Sequence, residues 1–160
     1  MTMSTLNYVQ HGLATLPPVY ADAETPIRFD VTLKAERGKV VLHYEQAGAG
    51  KDYIAITADS VVEVVLHGDQ LYFSRELEAI TTKEPLSSFY GGLEYDGYDE
   101  KLDRYKIVRF QARYNAGGKY GTRHGFNINV DLLQAFHRAK PKWVTLTIDP
   151  EITNPPPKDN

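Results

Sequence analysis

Lys142-Trp143-Val144-Thr145-Leu146-Thr147-Ile148-Asp149 reads as a β-strand, because Val144, Leu146 and Ile148 alternate with Thr145, Thr147 and Asp149. A period of two is what a strand with one buried face requires. Asp149-Pro150-Glu151-Ile152-Thr153-Asn154-Pro155 closes it. Pro150 removes a ladder donor, and Pro155-Pro156-Pro157 cannot continue a sheet, so the domain is expected to end here.

The same alternation recurs upstream. Ile27, Phe29, Val31 and Leu33 share one face of a strand, and Ala35-Glu36-Arg37-Gly38 turns the chain into a second strand, Lys39 to Tyr44. Tyr53 to Thr57 is a short strand. Val61 to His67 is apolar on both faces and therefore reads as central. Gly68-Asp69 predicts a hairpin into Gln70 to Ser74, and Arg75 to Lys83 is either one helical turn or a loop.

Tyr105 to Tyr114 is a long strand with Val108, Phe110, Ala112 and Tyr114 inward, and Phe126, Ile128, Val130 and Leu132 mark the next. A short turn of helix is expected at Ala135 to Ala139, and Trp143 is expected in the core. The segment from Pro85 to Lys101 breaks the pattern and reads as an irregular insertion, longer than most connections.

Seven to eight strands and no amphipathic helix of three turns predict an all-β antiparallel sandwich or closed barrel, and the varied strand lengths favour an antiparallel, immunoglobulin-like β-sandwich with one long irregular insertion. The expected divisions are an N-terminal arm over 1–25, one domain over 26–152 and a proline-rich tail over 153–160. Within the arm, Tyr8-Val9 or Val19-Tyr20 is the alternative, as a short edge strand.

Phe126-Asn127-Ile128-Asn129-Val130, a polar turn, and then Val144 through Pro155 resembles small bacterial proteins of the DP-EP type. That resemblance implies a β-sandwich of unassigned function and a bacterial source. It brings no catalytic residue with it.

Composition narrows the function classes. A net charge of −3 with scattered Lys and Arg argues against nucleic-acid or membrane partners. The absence of cysteine rules out disulfides and thiolate chemistry and fits a reducing compartment. No signal-type run opens the chain, and the longest nearly apolar stretch, Val61 to Leu66, is interrupted by Glu63, so a soluble, cytoplasmic protein is expected.

Gly48-Ala49-Gly50-Lys51 lacks the flanking residues of a phosphate loop and reads as a hairpin loop. Asn115 to Gly125 has the glycines of an anion nest, with Lys119, Arg123 and His124, but reads first as a solvated loop. The five histidines show no metal-ligand spacing, and no serine sits in a nucleophile elbow.

The richest chemistry lies in the insertion. Phe89, Tyr90, Tyr95 and Tyr98 offer rings to a protein partner or a glycan, and Asp96, Asp99, Glu100 and Asp103 offer oxygens to calcium, the one cofactor considered. The alternative is that the tyrosines pack the loop down while the acids stay in water. The resulting expectation is a non-enzymatic binding or assembly module that uses this loop or a sheet edge, with a protein partner or self-association. The runner-up is a glycan- or calcium-binding domain, and the third reading is a small enzyme.

Overall fold

The structure, a computed structural model, describes residues 10–15, 25–118, 121–137 and 140–157. In chain order its strands are β1 (His11–Gly12), β2 (Ile27–Glu36), β3 (Lys39–Gln46), β4 (Ile54–Ala55), β5 (Ser60–His67) and β6 (Leu71–Phe73). They continue with β7 (Ile80–Thr82), β8 (Tyr90–Asp99), β9 (Arg104–Ala112), β10 (Arg123–His137), β11 (Lys140–Ile148) and β12 (Glu151–Thr153). The all-β expectation holds, with twelve strands in two sheets among the described residues rather than seven or eight. Among those residues no helix is long and apolar enough to cross a membrane.

One sheet runs β3-β2-β5-β9-β8. Its β2–β3 hairpin pairs Phe29 with Gln46 through to Glu36 with Lys39. The two-residue turn uses Arg37 at φ 50° and Gly38 at φ 76°, the doubly positive conformation that matches strand twist. β5 is central, as its two-faced apolar pattern requires, but it pairs with β2 in parallel. A second parallel pair joins β12 to β4. The sheets are therefore mixed, which corrects the purely antiparallel expectation.

The other sheet is assembled on β10, fifteen residues long. β7 and β6 pair along one edge, through Ile128↔Ile80 and Val130↔Phe73. β12 and β11 pair along the other, through Gly125↔Glu151 and Ile128↔Ile148. Phe126, Ile128 and Val130 meet Phe29, Val64 and Phe110 from the opposite sheet in the core between the layers. The rings of Phe29 and Phe126 meet edge-on at 6.4 Å.

Several local expectations are overturned. Gly68-Asp69 does not close a hairpin: β5 stays in one sheet while β6 joins β10 in the other, so the chain changes layers here. Arg75 to Lys83 contains neither a helical turn nor loop alone but strand β7. The expected irregular insertion contains β8, a ten-residue strand paired with β9. The expected helical turn at 135–139 is strand as far as His137, and residues 138–139 lie outside the described residues.

Tyr114 points outward rather than into the core, and Val144 is 40% exposed on its strand. At the chain ends, residues 10–15 of the expected arm contribute β1 and the buried Leu13. The body continues past residue 152 through Thr153 to the fully buried Asn154. The alternative edge strands at Tyr8-Val9 and Val19-Tyr20 fall outside the described residues.

Candidate functional site

The β8–β9 hairpin separates the eight residues singled out in the sequence. Phe89 and Tyr90 are buried core residues at its base. Asp96 points to Arg109 at 3.0 Å, and its carboxyl is held below the usual range by the Gly97 amide and then by that guanidinium. Asp99 closes the turn, accepting from the Leu102 amide at 3.0 Å, and Glu100 lies exposed at the tip. Tyr98 donates to Asp103 at 2.6 Å, and this hydrogen bond is the main cause of the lowered Asp103 pKa. The hydroxyl of Tyr95 accepts the Ala79 amide at 2.9 Å, while its ring packs on Tyr105 at 5.3 Å. These residues do not converge on one loop site, and the acids do not form a cage. Among the described residues no group of three or more His, Asp or Glu side chains is placed to hold a metal ion.

Tyr95 and Asp103 do enter a cleft, and residues from elsewhere dominate it. Two adjoining hollows, of about 360 and 430 Å³, share Arg75, Glu76 and Arg104. The first is walled by Tyr95, Asp103 and Tyr105, the second by Asp131, Trp143 and Thr145.

The two arginines differ in kind. Arg104 Nε meets Asp131 at 2.8 Å with side chains only 10% and 4% exposed. Asp131 also accepts from the Thr145 hydroxyl at 2.9 Å and the Arg75 amide at 3.2 Å. The Arg104 guanidinium lies 4.3 Å from the centre of the Trp143 ring and donates to the carbonyls of Leu102 and Asp103. A buried pair with this many hydrogen bonds is a fixed part of the wall. The Arg75 side chain, by contrast, is 64% exposed and paired at 3.0 Å with Asp103, itself 48% exposed. An exposed pair of this kind contributes little to stability and opens readily.

The aromatic wall continues across the sandwich. Trp143 meets Tyr72 edge-on at 5.6 Å, and Lys106 from β9 lies 4.3 Å from the Tyr72 ring centre. Lys106 Nζ also donates to the carbonyls of Gly68 and Leu71. Burial lowers its pKa to about 8. Trp143, expected in the core, is instead a half-buried wall of the cleft, clasped by Arg104.

Arg75, Arg104, Asp131 and Trp143 come from the loop after β6, from β9, from β10 and from β11. No sequence spacing ties them together. One usable signal was the polar face of β10, where Asn127, Asn129 and Asp131 are all buried despite reading as the wet side of an alternating strand. The loops set aside in the sequence keep their readings in part. Gly48 to Lys51 forms turns, with Gln46 N donating to Lys51 O at 2.7 Å, and leads into β4 rather than a helix.

A family model described as a predicted novel nucleotide synthetase matches residues 3–157. The chain belongs to this family. A comparison with curated proteins finds no match. Family membership overturns the expected non-enzymatic binding or assembly module, together with its glycan- or calcium-binding alternative. It likewise displaces the expected protein, self-association and glycan partners. The chemistry in the family's description is that of nucleotides, which stands against the expected exclusion of nucleic-acid-type partners although Gly48 to Lys51 lacks a phosphate-loop signature.

Proposed function

We propose that this chain is an enzyme of nucleotide synthesis, and that its substrate binds in the cleft between Arg75, Arg104 and Trp143. The observation that carries the reading is the Arg75–Asp103 pair. An exposed guanidinium held by an exposed carboxylate stands beside a tryptophan already clasped by a second arginine. A phosphate makes bidentate, charge-assisted bonds to a guanidinium and displaces so weak a partner.

In this reading Arg75 receives the phosphate, and Arg104, neutralised by Asp131, holds the Trp143 ring in place behind it. The exposed surfaces of Trp143 and Tyr105 offer the base a place to stack. Once released, Asp103 remains ionised, because Tyr98 continues to donate to it. An ionised carboxylate with a low pKa is a poor proton acceptor and a good partner for ribose hydroxyls. Catalysis of phosphoryl or nucleotidyl transfer rests largely on positioning and charge neutralisation, the contributions a cleft of this kind makes.

The single tryptophan makes the test direct. Nucleoside mono-, di- and triphosphates titrated against the full chain should quench Trp143 fluorescence saturably, with Arg75→Ala weakening the effect at least tenfold. Mass spectrometry of the chain incubated with mixed nucleoside triphosphates should show a new nucleotide product that Arg75→Ala abolishes. No quenching and no product would overturn the reading.

A further inference from the structure

Arg123 stands eight residues before Asp131 on β10, a separation of about 26 Å at the usual strand rise. It borders a second and larger cleft of about 880 Å³ that the reading above does not use. This volume is within the range of small-molecule sites, roughly 300–1,000 Å³.

Its lining is rich in rings. Tyr44, Tyr53, Pro150 and Pro155 to Pro157 all line it. The Tyr53 ring is steadied by Lys51, whose Nζ lies 5.6 Å from its centre. Aromatic rings and prolines of this kind suit a planar heterocycle.

The rim sets the chemistry of the ligand. Asp52, Asp149 and Glu151 supply three carboxylates against the single lining cation, Arg123. Arg123 is already forked onto Glu151 at 3.0 and 3.1 Å, and Lys83 reaches Asp149 at 2.7 Å. The carboxylates of both pairs stay open to solvent, so the rim presents their oxygens to a ligand. These carboxylate lone pairs accept N–H donors, as carboxylates do from the exocyclic amino group of cytosine.

The chain next to the lining residues Thr122, Thr153 and Pro155 is held by hydrogen bonds. The Asn154 amide donates to Thr122 O at 2.8 Å, and both Asn115 Nδ2 and His124 Nε2 reach Gly121 O at 3.0 Å. A wall held in this way binds without a large ordering cost.

The geometry points to a nucleoside site, in which an amino-bearing base stacks against Tyr53 with its amino edge on the acidic rim. The choice of a nucleoside among planar amines rests on the nucleotide reading of the chain. The site itself is separate from the Trp143 cleft.

Calorimetric titration of cytidine and uridine into the full chain tests this, because the two differ at the amino edge. Cytidine should bind at least tenfold more tightly than uridine. Tyr53→Ala should weaken it at least tenfold at an unchanged melting temperature, whereas Tyr53→Phe and Arg75→Ala should leave it in place. Equal binding of the two nucleosides, indifference to Tyr53→Ala, or no nucleoside binding would each overturn the assignment. The two readings also fail separately. Nucleoside phosphates that quench Trp143 while cytidine does not bind would defeat only this one; cytidine binding through Tyr53 with no quenching would defeat only the other.

Discussion

The hydroxyl of Tyr90 on β8 donates to His124 Nδ1 on β10 across 2.6 Å, joining the two sheets inside the core. The direction follows from the neighbours. His124 Nε2 faces Gly121 O at 3.0 Å, and a carbonyl only accepts, so Nε2 carries the proton and Nδ1 is the acceptor. Asn154 Nδ2 then donates to the Tyr90 oxygen at 3.2 Å. Burial favours the neutral imidazole and lowers the His124 pKa, which is consistent with this tautomer.

Tyr90→Phe would leave His124 Nδ1 and one Asn154 donor unpaired at buried positions. The expected loss is about 1–3 kcal/mol. At roughly 2–4 °C per kcal/mol for a chain of this size, the melting temperature should fall by several degrees. Differential scanning calorimetry reads this directly. Quenching of Trp143 by nucleotides should be unaffected, since Tyr90 lines neither cleft.

The same pair sets an acid limit. The folded pKa of His124 lies below its unfolded value of 6.5, so between the two the unfolded chain binds more protons. This contribution to stability is therefore full above pH 6.5 and is lost as the pH falls towards the folded pKa. Urea unfolding at pH 7.5, 6.5 and 5.5 should show the decline, and His124→Gln should flatten this part of the profile.

Lys106 adds a second rise, at alkaline pH. Its folded pKa of about 8 lies below the unfolded 10.5. Across that window the unfolded state again holds the extra proton, so stability should rise with pH from about 8 towards 10. Above 10 the trend should reverse, because burial raises the Tyr90 pKa and the folded state then resists ionisation. Lys106→Met should remove the rise between pH 8 and 10 and leave the later fall in place.

Arg104 and Arg75 separate fold from function. Arg104→Ala strands the buried Asp131 carboxylate, and breaking a pair of this kind costs about 3–5 kcal/mol. Arg75→Ala removes only an exposed, solvent-screened pair that contributes little. Thermal melts should therefore show a large drop for the first and almost none for the second, although Arg75→Ala is the variant expected to lose nucleotide quenching. If Arg75→Ala melted as low as Arg104→Ala, Arg75 would be a structural residue.

How far the sequence reveals this molecule depends on which physical signal each element carries. The β2–β3 hairpin and β9 are legible from apolar alternation, with a glycine marking the hairpin turn, and β5 from its apolar residues on both faces. β8 hides because its ten residues include three glycines, and because its ladder slips register between Gly91 and Glu94. The central role of β10 is obscured for a different reason. Asn127, Asn129 and Asp131 are buried by pairing with Thr81, Thr147 and Thr145, so their polarity mimics a solvated face. The cleft is the least legible feature. Asp103 and Tyr95 were visible as chemistry-bearing residues, but only the layer change after β5 brings Arg75 to Asp103, and only the β10–β11 pairing sets Trp143 beside Arg104.

Gly97 tests whether the hairpin geometry matters to the cleft. It sits at φ 66°, and an added Cβ would lie 3.3 Å from both the Ile107 and Lys106 side chains. The left-handed backbone alone costs a residue with a side chain about 1–2 kcal/mol, and here the crowding adds to it. Gly48, at φ 77° with nothing within 4 Å, carries the backbone cost without the crowding. Gly97→Ala should therefore destabilise more than Gly48→Ala. It should also weaken nucleotide quenching, because Gly97 lies between Tyr95 and Tyr98 and its distortion displaces Tyr95 and Asp103. Gly48→Ala should leave quenching intact. Equal effects of the two substitutions on quenching would show that the cleft does not depend on the register of β8.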